Sequence, residues 1–337
     1  MMKILIIRLS AIGDIVMASG ILAPLKEKFK SSTIDWLVQS EYKDLLTATK
    51  IIDRVLKWDR KEWVRLFKAK KFIKLSKEIF FFLKELRERR YDLIIDLQGL
   101  LKSICWLVVS YGQDKLILDP KELKFFWKKK SLYSPKSKEI GAEYKFLLKK
   151  LNVPYKDFKL NLEVSDEDKR SVEDLLKEFD LKIKRYFVFA PFTTRPQKKW
   201  PVEYWIELSR KIGYSAVILG SIKDKEEAKK LEKGSKYLID LTGRTNLREA
   251  ICLIQNSCGL IGIDTGFTHV AMLSKIPTVA IFGSTCPYTI TDNPYGIVLY
   301  EKMPCSPCKR DPVCNGKFTC MNLIIPEKVI EILKNYG

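Results

Sequence analysis

The chain has 337 residues, 46% of them hydrophobic and 30% charged, which describes two globular domains of ordinary size and excludes a disordered chain. No uninterrupted apolar stretch reaches the roughly 18 residues that a membrane-spanning helix needs, and the N-terminal run Ile4–Ile7 is too short for a signal peptide, so a cytoplasmic protein is expected. The net charge of +20 is uneven: residues 1–150 hold 33 Lys/Arg against 18 Asp/Glu, residues 151–337 hold 28 against 23, so the first half is expected to meet something anionic.

Strands and helices alternate along the chain, as in layered α/β folds with parallel sheets. Lys3–Arg8 reads as a buried strand, Asp14 to Phe29 as a helix and Thr33–Val38 as the second strand. A long basic stretch rich in Phe, Trp and Leu runs from Arg60 to Arg90, before a strand over Asp92–Leu97. Ser131–Lys138 reads as a loop. A charged connection near Val153–Ser165 marks the domain boundary and is followed by a helix over Asp166–Phe179. The expected organisation is therefore a first domain over 1–160, a second over 161–325 and a terminal helix over 326–337.

The second half repeats the pattern: strand Tyr186–Ala190, helix Val202–Ile212, strand Ala216–Gly220, helix Asp224–Gly234, strand Leu238–Asp240 and helix Leu247–Gln255. Strand Gly259–Ile263, helix Thr268–Ser274, strand Thr278–Phe282 and helix Pro326–Asn335 complete it, the last with proline in its first turn. Two Rossmann-like halves facing one cleft is the simplest architecture for this order.

Three strand ends carry candidate chemistry. Ser10-Ala11-Ile12-Gly13-Asp14 follows the first strand and ends in a carboxylate at a helix start, a place where α/β enzymes bind ligands. Asp14 there is either a dipole-favoured helix residue or a functional acid. The pattern Gly-x-Gly-x-x-Gly is absent, which weighs against a dinucleotide cofactor. Thr193, Thr194, Arg195 and Lys198 follow the first strand of the second half and suit a diphosphate: hydroxyls donate hydrogen bonds and cations neutralise charge. Asp264-Thr265-Gly266 closes the strand Gly259–Ile263, and His269, the only histidine, lies one turn into the helix that follows; a helix N-terminus favours an anion such as pyrophosphate.

These segments, in this order, resemble glycosyltransferase family 9, the ADP-heptose:lipopolysaccharide heptosyltransferases. The resemblance rests on Arg8–Asp14, on Thr193-Thr194-Arg195 with Lys198 and Trp200-Pro201, on Gly262–His269, and on Phe282-Gly283-Ser284-Thr285. Asp96–Ser103 is similar to the branch that adds the first heptose to Kdo. The resemblance implies a GT-B fold, acceptor bound by the first domain and nucleotide-sugar by the second, with inversion at the anomeric carbon and no metal requirement. It implies Asp14 as general base, Thr193, Thr194 and Lys198 at the donor diphosphate, and Asp264, Thr265, Gly266 and His269 in the pyrophosphate and sugar loop. Asp224 matches an acid that holds the nucleotide ribose, Asp here where Glu is usual. The acceptor side falls to Ser10, Gly13, Gln98 and Lys102. The basic residues Arg60, Lys61 and Lys129, beside aromatic rings, are expected to face an anionic acceptor of the Kdo-lipid A type at the cytoplasmic face of the inner membrane, although a solvated basic face is as common. A later inner-core heptose as acceptor, or another nucleotide-sugar as donor, stays open. No nucleic-acid module is recognisable, so no nucleic-acid partner is expected.

Eight cysteines in a cytoplasmic chain are expected to be mostly reduced, with Cys105, Cys252, Cys258 and Cys286 as small apolar residues. Cys305, Cys308, Cys314 and Cys320 form a C-x2-C-x5-C-x5-C series, for which a structural zinc, disulfides or free thiols are all open.

Overall fold

A computed structural model describes residues 1–122, 131–285 and 287–334. Lys129 with its neighbours Trp127, Lys128 and Lys130, and also Cys286 and Asn335, lie outside the described residues. The chain divides into two compact units, one of residues 1–136 with 141–163, the other of residues 137–140 with 164–337.

The first unit is built from strands β1 (Lys3–Ile7), β2 (Thr33–Gln39), β3 (Arg54–Trp58), β4 (Tyr91–Asp96), β5 (Gly112–Leu118) and β6 (Ser131–Leu132). Helices α1 (Ile12–Ser19), α2 (Leu22–Lys28), α3 (Asp44–Thr47), α4 (Arg60–Lys68), α5 (Phe72–Arg87), α6 (Leu101–Val109) and α7 (Ala142–Lys150) connect or follow them. The sheet is parallel in the order β3-β2-β1-β4-β5-β6. Ile4–Ile7 are fully buried, as expected of a central parallel strand with both faces covered.

The single helix expected over Asp14–Phe29 is two helices, α1 and α2. Pro24 has no N–H to give to the carbonyl of Gly20, so a continuous helix breaks there, while proline is tolerated in the first turn of a helix that begins at Leu22. At the break the ring of Phe158 presses on Gly20, where a Cβ would sit 2.4 Å from it. Ser131 and Leu132, expected in a loop, instead extend the sheet beside Ile117 and Leu118. The segment leading to the second unit is tied down: Asn161 donates from its backbone and side chain to Ser19, and the Glu163 N–H donates to Thr49.

The second unit repeats the plan with β7 (Phe187–Ala190), β8 (Ala216–Ile218), β9 (Leu238–Asp240), β10 (Gly259–Ile263), β11 (Thr278–Phe282) and β12 (Gly296–Tyr300). Its helices are α8 (Asp166–Glu178), α9 (Val202–Ile212), α10 (Lys225–Gly234), α11 (Leu247–Asn256), α12 (Gly266–Leu273), α13 (Thr319–Asn322) and α14 (Pro326–Lys334). The order is β12-β11-β10-β7-β8-β9, again all parallel. In each unit the first strand neighbours the second on one side and the fourth on the other, the doubly wound order in which ligands bind outside the carboxyl ends of the first and fourth strands. Helix α14 belongs to this unit, with Val329 in the core beside Trp205 and Leu208.

Asp166-Glu167-Asp168 is a helix start, with Ser165 as its cap and Asp168 closing the box back onto the Ser165 N–H. The Asp168 carboxylate, nearly fully buried, also takes hydrogen bonds from Arg248 at 2.6 Å and Asn246 at 3.1 Å, and so joins α8 to α11. Burial alone would raise its pKa; the bonds from Arg248 and Ser165 outweigh it and hold the carboxyl below the usual range. A carboxyl lowered on folding stabilises the fold at neutral pH and loses that contribution as the pH falls. Asp168→Asn is expected to cost about 2–4 kcal/mol in denaturant unfolding at pH 7, with the gap to wild type narrowing below about pH 4.

Candidate active site

The carboxyl ends of β1 and β4 carry the candidate site of the first unit. Arg8, one residue past β1 and 7% exposed, reaches the Asp14 carboxylate at 2.7 Å and donates to the carbonyl of Leu97 past β4. Asp14 sits in the first turn of α1, where the Ala11 N–H also donates to it at 3.2 Å. Its side chain is 55% exposed, so an oriented carboxylate stands open to solvent.

Gln98 and Lys102 tie the two strand ends together. The Leu9 N–H donates to Gln98 Oε1 at 2.9 Å, and Ser10 Oγ accepts from Gln98 Nε2 at 3.4 Å and from Lys102 Nζ at 3.0 Å. Burial, with the positive charges of Arg60 and Arg8, pushes the Lys102 amine below its usual range, so Arg60 belongs to the same electrostatic neighbourhood. Gly13 lies on α1 beside Asp14. Lys61 is a surface residue paired with Glu41 at 3.4 Å, and no contact among the described residues joins it to Asp14.

Asp96 ends β4 and is fully buried. The N–H groups of Gln98 and Gly99 donate to its Oδ1 at 2.8 and 3.2 Å, and the Ser103 hydroxyl donates to Oδ2 at 2.8 Å, which shapes the turn that presents Gln98. Burial pushes its pKa up to about 6, against the pull of those bonds and of Arg8. Arg8 and Asp96 organise the site without standing among the expected functional residues. Both lie at strand ends and open segments that carry the family resemblance, Arg8–Asp14 and Asp96–Ser103.

The carboxyl ends of β7 and β10 carry the candidate site of the second unit. Asp264, 12% exposed, gathers three side chains: Lys198 Nζ in an ion pair with Oδ2, Thr285 Oγ1 donating to Oδ2 at 2.6 Å, and His269 Nε2 at 3.3 Å from Oδ1. Lys198 Nζ also donates to the Asp264 carbonyl at 3.2 Å. His269 Nδ1 lies 3.0 Å from the hydroxyl of buried Tyr288. Burial would raise the Asp264 pKa, but the His269 bond and the charges of His269 and Lys198 outweigh it and hold the carboxyl well below its usual range.

Thr265 stands at the N-cap position of α12 without a side-chain cap bond and Gly266 opens the helix, so among the described residues its first N–H groups are open donors beside the Asp264 cluster. The helix starts close to its strand: a Cβ on Gly262 would lie 2.3 Å from Thr268 Oγ1. Thr193 Oγ1 accepts from the Arg195 N–H at 3.2 Å, and Thr194 beside it is exposed. Asp224 is not joined to this network among the described residues; it caps the turn after β8 by accepting from the Ser221 N–H at 2.8 Å and its hydroxyl at 2.7 Å. Thr285 and Tyr288 complete the cluster and were not expected as site residues; they lie on the segment after β11, with no local pattern that marks their partners.

The four C-terminal cysteines sit in the same unit. Among the described residues, no group of three or more His, Cys, Asp or Glu side chains is placed to hold a metal ion, and Cys305, Cys308, Cys314 and Cys320 are free thiols. Cys320 is buried in the apolar core with Met321 and Ile324.

The Asp96 environment carries a pH signature. A carboxyl whose pKa rises on folding favours the folded state most below its unfolded value near 4, and that contribution is lost as the pH climbs through about 6. Asn is isosteric and can accept the same two N–H groups while donating to Ser103. The stability of Asp96→Asn relative to wild type is therefore expected to rise by about 2 kcal/mol between pH 4 and pH 7, read by denaturant unfolding across that window.

Comparison with known proteins bears on the family and the fold. The sequence model of glycosyltransferase family 9 (heptosyltransferase) matches residues 79–318. Lipopolysaccharide heptosyltransferase 1 of Pseudomonas aeruginosa is 26% identical over 91% of this chain and 86% of its own. The protein of that name from Escherichia coli K12 is 23% identical over 85% and 89%. Among solved structures, E. coli heptosyltransferase WaaC with ADP superposes with a TM-score of 0.77 at 19% identity over 100% of both chains. The family 9 glycosyl transferase of Veillonella parvula does so with 0.81 at 18% over 99% and 97%. These likenesses establish the fold as GT-B, two Rossmann-like units in one chain. With the family's pattern spanning most of its length, the chain belongs to glycosyltransferase family 9.

Proposed function

We propose that the protein is an inverting heptosyltransferase that moves L-glycero-D-manno-heptose from ADP-heptose to a Kdo-lipid A acceptor of the lipopolysaccharide inner core. The observation that carries this reading is the division of chemistry between two strand-order reversals. The first holds an exposed, arginine-oriented carboxylate; the second holds cation, hydroxyl and helix N–H groups suited to a diphosphate. Relatives named lipopolysaccharide heptosyltransferase 1 across most of the chain support heptose as the sugar and lipopolysaccharide as the product class. The work site is then the cytoplasmic face of the inner membrane, with the protein held there peripherally; no helix among the described residues is long and apolar enough to cross a membrane.

In this reading Asp14 takes the proton of the acceptor hydroxyl as its oxygen attacks the anomeric carbon from the face opposite the leaving group. The bond from that carbon to the β-phosphate oxygen breaks, and its electron pair leaves on ADP. Arg8 and the Ala11 N–H fix the direction of the Asp14 carboxylate, which a general base requires. The charge growing on ADP meets Lys198, the hydroxyls of Thr193 and Thr194 and the opening N–H groups of α12, a preorganised set that stands in for a metal ion. Asp264 is itself an anion and its oxygens are engaged, so it positions Lys198, His269 and Thr285 instead of binding the diphosphate.

Transfer from ADP-heptose to Kdo2-lipid A in the presence of EDTA tests the whole reading. Wild type is expected to turn over, and Asp14→Asn to lose on the order of a thousandfold in kcat. Absence of transfer by the wild type would overturn the substrates, and equal rates would overturn Asp14 as base. Titration calorimetry with ADP tests the second half separately: Lys198→Ala is expected to weaken binding roughly 10- to 100-fold by removing a charge-assisted contact.

A further inference from the structure

Helices α4 and α5 present apolar side chains to water. Leu75, Ile79, Phe82 and Leu86 recur at three- and four-residue spacing along α5 and face inward. Phe82 meets Trp63 and Trp106 edge-on, with ring centroids 5.7 and 4.9 Å apart, so that face is anchored in the core of the first unit. On another line of the helix, Ile73, Lys77, Phe80 and Lys84 follow the same spacing outward. Ile73 is 78% exposed, and Phe80 and Phe81 are 63% exposed. At the α4–α5 elbow Phe67 and Phe72, both exposed, touch each other at 5.9 Å between ring centroids. Scattered exposed apolar residues are ordinary; five on one helical hairpin mark an interaction surface.

The same hairpin is strongly basic. Residues 60–87 hold ten Lys/Arg against three Glu, a net +7. One of the three, Glu62, is already bonded to Arg65 at 2.6 Å. Beyond the C-terminal end of α5 lies a cavity of about 440 Å³ lined by Arg87, Arg90 and Lys115 together with Val108, Val109 and Tyr111. Cations and apolar groups are therefore interleaved along the whole element.

We propose that the α4–α5 face docks the protein on the surface of an anionic phospholipid bilayer. Ile73, Phe80 and Phe81 enter the boundary between headgroups and acyl chains, while Lys77 and Lys84 reach lipid phosphates with their apolar stems laid along the interface. Charge complementarity selects this occupant. A nucleic acid rewards cations but gives protruding phenylalanines nothing to enter, and a helix with alternating cations and large apolar groups suits a surface that is anionic outside and apolar beneath. The proposal deepens the lipid-linked acceptor reading and rests on it for its purpose, though the chemistry of the surface stands without it.

Co-sedimentation of the full chain with unilamellar vesicles tests the docking with no sugar present. Wild type is expected to bind phosphatidylglycerol–phosphatidylcholine vesicles and not pure phosphatidylcholine, with affinity falling at least tenfold between 0.1 and 0.5 M NaCl as screening shortens, an order-of-magnitude expectation. Phe80→Ser with Phe81→Ser, and separately Lys77→Glu with Lys84→Glu, are each expected to lower binding to the anionic vesicles by about tenfold or more. All four side chains are exposed, so thermal midpoint and ADP affinity should match wild type and exclude misfolding. Failure of the wild type to bind at low salt, or both variants binding as wild type does, overturns the proposal. So does binding of poly(A) RNA, unchanged by the serine pair, in place of vesicles. Vesicle binding without heptose transfer would overturn the substrates and keep the docking face; transfer to detergent-dispersed acceptor by a chain that ignores vesicles would do the reverse.

Discussion

The candidate sites of the two units each depend on one topological constraint: in each sheet, the strands following the first one lie on one side of it and the later strands on the other. Where the connections diverge, nothing of the sheet's own backbone fills the space beyond the carboxyl ends of the two central strands, and side chains from distant parts of the sequence meet there. Leu9 and Gln98 are 89 residues apart and share a hydrogen bond across that gap; Lys198 and Asp264 are 66 apart and share an ion pair across the other. Local sequence can place a carboxylate or a lysine at a strand end. Only the order of strands makes them neighbours.

The charges at the two reversals are handled differently, and the difference fits their tasks. In the first unit the cation is buried and the anion exposed: Arg8 is 7% accessible while the Asp14 side chain is 55%. Such a pair leaves the carboxylate free to meet a hydroxyl while the guanidinium fixes its direction. In the second unit Lys198, Asp264 and His269 are all nearly enclosed, at 13%, 12% and 14%. Enclosed charges are tolerated when they compensate one another and their hydrogen bonds are filled. The cluster is thus already assembled by its own contacts, which is the preorganisation that the proposed stabilisation of a departing diphosphate requires.

Much of the fold was legible because buried parallel strands are short apolar runs, and helices such as α8 and α11 begin at side-chain caps, Ser165 and Asn246. Leu238–Asp240, Gly259–Ile263, Thr278–Phe282 and helix Val202–Ile212 were read with the bounds they have. Two of the misses follow from polarity. Strand β5 begins Gly-Gln-Asp-Lys and β3 begins at Arg54, so neither offers an apolar run; β12, Gly-Ile-Val-Leu-Tyr at the sheet edge, does offer one and polarity does not account for that miss. The α1–α2 break was written in Pro24 but masked by the apolar residues on both sides. Within the site, residue types at strand ends pointed to Asp14, Lys198 and Asp264. The partners that give them their properties, Arg8, Asp96, Thr285 and Tyr288, are fixed by tertiary contacts that no spacing encodes.

The C-terminal cysteine segment shows how structure can assign a role before the chemistry of its side chains is known. Its backbone braces the turn that carries Thr285: the Lys309 N–H donates to the Ser284 carbonyl at 2.6 Å, and the Ser306 hydroxyl donates to the Gly283 carbonyl. From the other side Gln197, next to Lys198, donates to the Lys309 carbonyl at 3.0 Å. One loop therefore holds both the residue before the site lysine and the turn whose threonine bonds to Asp264. Each of these bonds involves backbone carbonyl or N–H groups, which do not change with the state of the thiols. The segment of Cys305 and Cys308 thus acts through position, bonding on one side to the turn that carries Thr285 and on the other to the neighbour of Lys198.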